Sequence, residues 1–121
     1  MSTTYIESNV SEEASNVHRA IASLTEELEA VDWYNQRADI AADAELKSIL
    51  LHNRNEEIEH ASMLLEWLRR NIAEFDEELK TYLFKTAPIT RIEEMEAGEE
   101  GADGGSAPTS SGSLGIGKMS S

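Results

Sequence analysis

A chain of 121 residues and 13.4 kDa has room for one small domain. Its 24 acidic against 10 basic residues give a net charge of −14, which disfavours nucleic-acid binding because phosphate recognition needs basic patches. The absence of cysteine excludes disulfides, thiolate metal sites and iron–sulfur clusters.

The acidity suits a surface that attracts cations, and equally one that is simply soluble. Met1 to Val10 lacks the charged segment and apolar run of a signal peptide, and no apolar stretch approaches the length of a membrane span. The expectation is a cytoplasmic protein with no membrane partner.

Residues 1–10 read as a flexible start. All seven glycines lie at or beyond Gly98, and both prolines, Pro88 and Pro108, lie beyond residue 87. So long a stretch without either breaker predicts an all-α fold. Ser11 is placed to cap a first helix, with Glu12 and Glu13 in its first turn. That helix is expected to run to about Ala41 or Ala42. Asp43 caps a second helix from Ala44 to about Asn71, and the short turn between them forces an antiparallel hairpin. A third helix is expected over roughly Ala73 to Phe84, ended by Thr86-Ala87-Pro88. The helical domain is thus set at residues 11–92. Residues 93–112 form an acidic, then Gly/Ser-rich linker. Leu114, Ile116 and Met119 make residues 113–121 a small apolar island suited to docking. Two or three helices of this length cannot enclose their own apolar stripe, so self-association is expected.

At alternating steps of four and three, the second helix shows the seam Leu46, Leu50, Asn53, Glu57, His60, Leu64, Trp67. The first shows Val17, Ala20, Leu24, Glu27, Val31, Tyr34, Ala38. Charges in a packing seam are costly unless paired or bound to metal. Glu27 lies about 15 residues before the turn and Glu57 about 15 after it, so both sit roughly 22 Å from it at ~1.5 Å per residue. His60 follows Glu57 by one helical turn on the same face. A Glu from one helix with Glu-x-x-His from another is half of a ferritin-like di-iron site. The other half is then expected from a second chain through a twofold axis. Two copies each of Glu27, Glu57 and His60 would hold two irons, with carboxylates free to bridge and imidazole as a neutral terminal ligand. Tyr34, one heptad beyond Glu27, either brings its hydroxyl toward the metals or serves as an interface aromatic. Glu26, Glu29 and Trp33 occupy a neighbouring face, where the two carboxylates either collect a cation or are ordinary solvated charges. His18 and His52 read as surface or interface residues.

These residues resemble the encapsulated ferritins. Glu26-Glu27-Leu28-Glu29-Ala30-Val31-Asp32-Trp33-Tyr34 is similar to that family's first-helix signature. His52-Asn53-Arg54-Asn55-Glu56-Glu57-Ile58-Glu59-His60-Ala61 resembles the second, continued by Leu65-Glu66-Trp67-Leu68-Arg69-Arg70. Thr81-Tyr82-Leu83-Phe84 and Pro88-Ile89 are also similar. Ser113 to Met119 resembles an encapsulin localisation peptide, with Met119 where Leu is common. The resemblance covers about residues 11–90. It implies a half-ferritin hairpin that completes a four-helix bundle on dimerisation, and a ring-shaped decamer of five dimers. The implied activity is oxidation of Fe(II) by dioxygen, with Glu27, Glu57 and His60 as iron ligands and Tyr34 nearby. Glu26 and Glu29 would form an entrance site for iron, Ca or another divalent cation, with Trp33 beside a secondary metal position. The mineral would be stored by an encapsulin shell, inside which the tail places the enzyme. Two other readings stand beside this one: a rubrerythrin-like di-iron peroxidase, and a non-enzymatic, metal-stabilised helical interaction module.

Overall fold

A computed structural model describes residues 6–103. Four helices follow in chain order: α1 Glu12–Ile40, α2 Ala44–Asn71, α3 Ala73–Tyr82 and α4 Ile89–Asp103. The protein is all-α, and no strand occurs among the described residues. It divides into two compact units, residues 1–73 and 74–121.

The first unit is the hairpin of α1 and α2, packed against each other along their length. Both helix starts are set by their caps. Ser11 Oγ accepts from the Ala14 N–H at 3.1 Å, and Asp43 Oδ2 accepts from the Leu46 N–H at 2.8 Å. Each satisfies an N–H that has no partner within the helix. At the end of α1, Ala41 has left helical geometry, though its N–H still donates to the Arg37 carbonyl. Only Ala41, Ala42 and Asp43 separate the two helices.

Ala20 and Ala38 on α1, and Ala61 and Leu68 on α2, are the buried residues among those described in this unit. Alanine at the contact line lets two helix backbones approach closely. The α1 seam is the expected one, with Ala20 and Ala38 at its centre. On α2 the line of closest contact is rotated by one residue, through Ala61 and Leu68. Leu46 and Trp67, expected in the seam, are left partly exposed. A polar link near the turn also crosses the hairpin: the Arg54 guanidinium donates to Asn35 Oδ1 at 2.9 Å and is braced by the neighbouring Asn55 side chain.

In the second unit, α3 ends at Tyr82, slightly earlier than expected. Phe84 takes a left-handed backbone, φ 61°, and its side chain is 93% exposed. The Lys85 ammonium reaches back to the carbonyls of Lys80 and Thr81 at 2.7 and 2.8 Å, satisfying acceptors at the end of the helix. Pro88 then starts α4, its carbonyl accepting from Arg91 and Ile92. This helix continues through Glu93 into the segment expected to be linker. Residues 93–97, Glu-Glu-Met-Glu-Ala, lack an amphipathic period but are strong helix formers. Residues 113–121 lie outside the described residues.

Across the described chain only Ala20, Ala38, Ala61, Leu68 and Ile92 are buried, while Ile21, Leu28, Trp33, Ile49, Ile58 and Met63 are among the large apolar side chains left exposed. Three of these five buried residues are alanine, so one chain is under-packed by itself. Leu68 is the one large side chain with no exposed surface. Leu68→Ala should lower the unfolding free energy by about 2–5 kcal/mol, and Asp43→Ala by about 1 kcal/mol. Urea titration of each variant checks both values.

Candidate metal centre

The seam charges are brought together. His60 Nδ1 lies 3.5 Å from Glu27 Oε1 and 3.4 Å from Glu57 Oε1. One donor atom from each of the three residues falls within 4.8 Å of the other two. Among the described residues this is the one group of three or more His, Asp or Glu side chains with such spacing. Glu27 comes from α1, while Glu57 and His60 come from α2. The equal distances from the turn and the i,i+3 spacing account for the meeting.

The one-residue rotation of α2 fixes how the group faces. His60 is 41% exposed, while Glu27 and Glu57 are 26% and 25% exposed. The carboxylates therefore sit deeper, and the imidazole forms the open rim.

The electrostatics are those of a site short of positive charge. The hydrogen bond between Glu27 and Glu57 holds the Glu27 carboxyl above its usual range; partial burial and the Glu57 charge add to this, and His60 opposes it. Two carboxylates this close favour sharing a proton. At His60, burial pulls the imidazole toward neutrality. The hydrogen bond to Glu57, with the charges of Glu27 and Glu57, outweighs burial and raises the ring above its ordinary value. Glu66, on the same helix, behaves in the opposite way. Its carboxylate accepts from Arg69 Nε at 2.8 Å and from Arg70 Nε at 2.7 Å, and is lowered to about 2. Glu27 has no arginine or lysine partner among the described residues. Oxygen and imidazole donors without a counter-charge suit a divalent or trivalent cation, and the set fits iron, manganese, cobalt or zinc.

Glu26 and Glu29 lie outside this group of three carboxylate and imidazole donors. Tyr34 is half-buried, with the Arg37 guanidinium over its ring at 5.6 Å from the centroid. Glu26 and Glu29 are exposed, as is Trp33. The Arg54–Asn35 link had no spacing signature in the sequence, since it depends on the reach of one long side chain across the two helices.

Helical hairpin and ligand set together define a ferritin-like protein built as half of the usual four-helix unit. The family model described as EncFtn-like matches residues 3–86, and the chain belongs to that family. An encapsulated ferritin-like protein of Rhodospirillum rubrum is 56% identical over 112 residues, covering 89% of this chain and 80% of the relative. A ferritin-like protein of Thermotoga maritima is 56% identical over 87 residues, covering 72% and 76%. Among solved structures, the crystal structure of protein ne0167 from Nitrosomonas europaea is similar with a TM-score of 0.69 and 58% identity, covering 72% of this chain and 98% of that one.

A cation held by this group would compete with a proton for the His60 nitrogen. Because the two carboxylates raise the ring above 6.5, anaerobic Fe(II) affinity should fall as pH is lowered into and below that region. Glu57→Gln removes the charge that helps hold the proton, so the His60 pKa should drop toward its ordinary value in an NMR titration of the imidazole.

Proposed function

We propose that the protein is a ferroxidase, oxidising Fe(II) to Fe(III) with dioxygen at a di-iron centre shared between two chains. The observation that carries the reading is the convergence of Glu27, Glu57 and His60 donors within 4.8 Å, with His60 on the open rim. One chain provides three donors, too few to saturate two irons. A second chain related by a twofold axis would supply the same three, giving four carboxylates and two imidazoles. The under-packed hairpin favours this pairing, because its exposed apolar side chains gain burial on meeting another copy.

Iron is the substrate, and the redox change occurs at the metals. The four carboxylates balance the charge that appears as Fe(II) becomes Fe(III), and so favour the oxidised product. Metal binding would displace the proton that the raised Glu27 carboxyl tends to keep. His60 must be neutral to ligate, and the metals displace its proton as well. Tyr34, one heptad beyond Glu27 on the α1 seam, would place its hydroxyl near the ligands. Glu26 and Glu29, with Trp33 beside them, would receive iron, Ca or another divalent cation at the outer surface.

Assembly and location complete the proposal. The resemblance to encapsulated ferritins supports dimers arranged five to a ring. The name of the Rhodospirillum rubrum relative describes that protein as encapsulated, which supports an encapsulin shell as partner here. Residues 113–121 would bind the inner face of the shell, so the enzyme works in the lumen of a nanocompartment in the cytoplasm and delivers iron for mineralisation there.

The wild-type protein should oxidise Fe(II) in air far faster than buffer does, and Glu57→Ala with His60→Ala should reduce the rate to background. Unchanged oxidation in that double variant would remove the site assignment. Protein held monomeric should lose both tight iron binding and activity. Deleting residues 113–121 should abolish co-purification with the shell and leave the oxidation rate intact; capture that survives the deletion would disprove the role given to the tail.

A further inference from the structure

Dioxygen that accepts only two electrons becomes hydrogen peroxide, and a side chain able to take oxygen from peroxide stands one helical turn from His60. Met63 follows His60 at i+3, and residues so spaced are neighbours on a helix surface, with Cβ atoms ~5–6 Å apart. The Glu27–Glu57–His60 group opens on its His60 side, and Met63 is itself 59% exposed. A thioether is readily converted to the sulfoxide by peroxide. Trp67, the next residue along this stripe, has no comparably reactive lone pair.

We propose that Met63 is an oxidation site that accepts an oxygen atom from peroxide formed at the Glu27–Glu57–His60 centre, so that iron turnover marks its own protein at this position. The proposal rests on the ferroxidase reading. Two Fe(II) each give one electron to dioxygen, which takes up two protons and leaves as hydrogen peroxide. The Met63 Sδ lone pair then attacks one peroxide oxygen. The S–O bond forms as the O–O bond breaks, and the second oxygen departs as water with both protons. Sulfur is oxidised by two electrons and peroxide is reduced by two.

The protein carries an internal control. Of its four methionines, Met63 and Met95 lie among the described residues. Met95, on α4, is 56% exposed, nearly the same as Met63. Only Met63 shares a helix with two donors of the centre. Peroxide added to the metal-free assembly sets a reference ratio of the two sulfoxides, and peroxide released at the centre is expected to raise the Met63 share above it. The ratio of the two sulfoxides therefore reports where the oxidant originates. Oxidation would also replace a soft apolar group beside His60 with a polar, chiral one.

The experiment uses the full-length protein in its own assembly. Fe(II) is added without oxygen, air is admitted, Fe(III) formation is followed, and the peptides containing Met63 and Met95 are then weighed. Met63 should carry an added oxygen atom several-fold more often than Met95. Metal-free assembled protein given hydrogen peroxide should show a lower Met63-to-Met95 ratio, and Glu57→Ala with His60→Ala should fall to that reference ratio on exposure to iron and air. If Fe(III) forms at the wild-type rate but the Met63-to-Met95 ratio matches that for added peroxide, the proposal is overturned while the ferroxidase reading stands. If the intact protein forms no Fe(III) above buffer, the ferroxidase reading fails and this inference falls with it.

Discussion

Two carboxylates and an imidazole have been gathered where helix packing alone would place leucine or alanine. Glu27 and Glu57 face each other with no arginine or lysine among the described residues to offset them, and His60 is the one basic group they share. Between the two carboxylates the arrangement works against stability, and the cost appears in the raised Glu27 carboxyl; the raised His60 ring marks the partial offset that a protonated imidazole gives them. A multivalent cation would reverse the sign, turning mutual repulsion into shared ligation. Glu66, a few residues along α2, shows the ordinary solution, two arginines on one carboxylate. The chain thus has the means to neutralise a glutamate and withholds it at this point.

The hairpin that holds this group is correspondingly thin. Alanines line the contact between α1 and α2, so the helices sit close and leave little core between them. Large apolar side chains lie at the edges instead. Such a scaffold suits a shared site, since the same contact that covers the edges would bring up the missing donors. Stability and metal affinity would then depend on one association step and rise and fall together.

Much of this was legible in the sequence. Ser11 and Asp43 marked both helix starts because a cap is a local device, a side chain and an N–H three residues away. Glu27, Glu57 and His60 were legible because a short turn makes distance along an antiparallel pair a matter of counting. The rotation of α2 by one residue was not, since it depends on which alanines meet across the interface rather than on the period of either helix. The helix through Glu93 was missed for a related reason. Amphipathic spacing reveals helices that bury a stripe, and α4 buries Ile92 but is otherwise held by the intrinsic preference of Glu, Met and Ala. Arg54 and Asn35 are 19 positions apart in the chain and meet only through the reach of the guanidinium.

The three-residue turn Ala41–Asp43 serves as the origin of a ruler. Height and facing of Glu27, Glu57 and His60 are measured from it along two arms of matched length. One residue inserted into either arm would lift the ligands beyond it by about 1.5 Å and swing them by about 100° around the helix axis. Losses would act the same way, and equal changes in both arms would restore the level but not the facing unless made in steps of about seven. Length drift in this protein is therefore expected outside the arms, in the segment before Ser11 and in the stretch after α4, while the distance from Glu27 to Glu57 stays fixed.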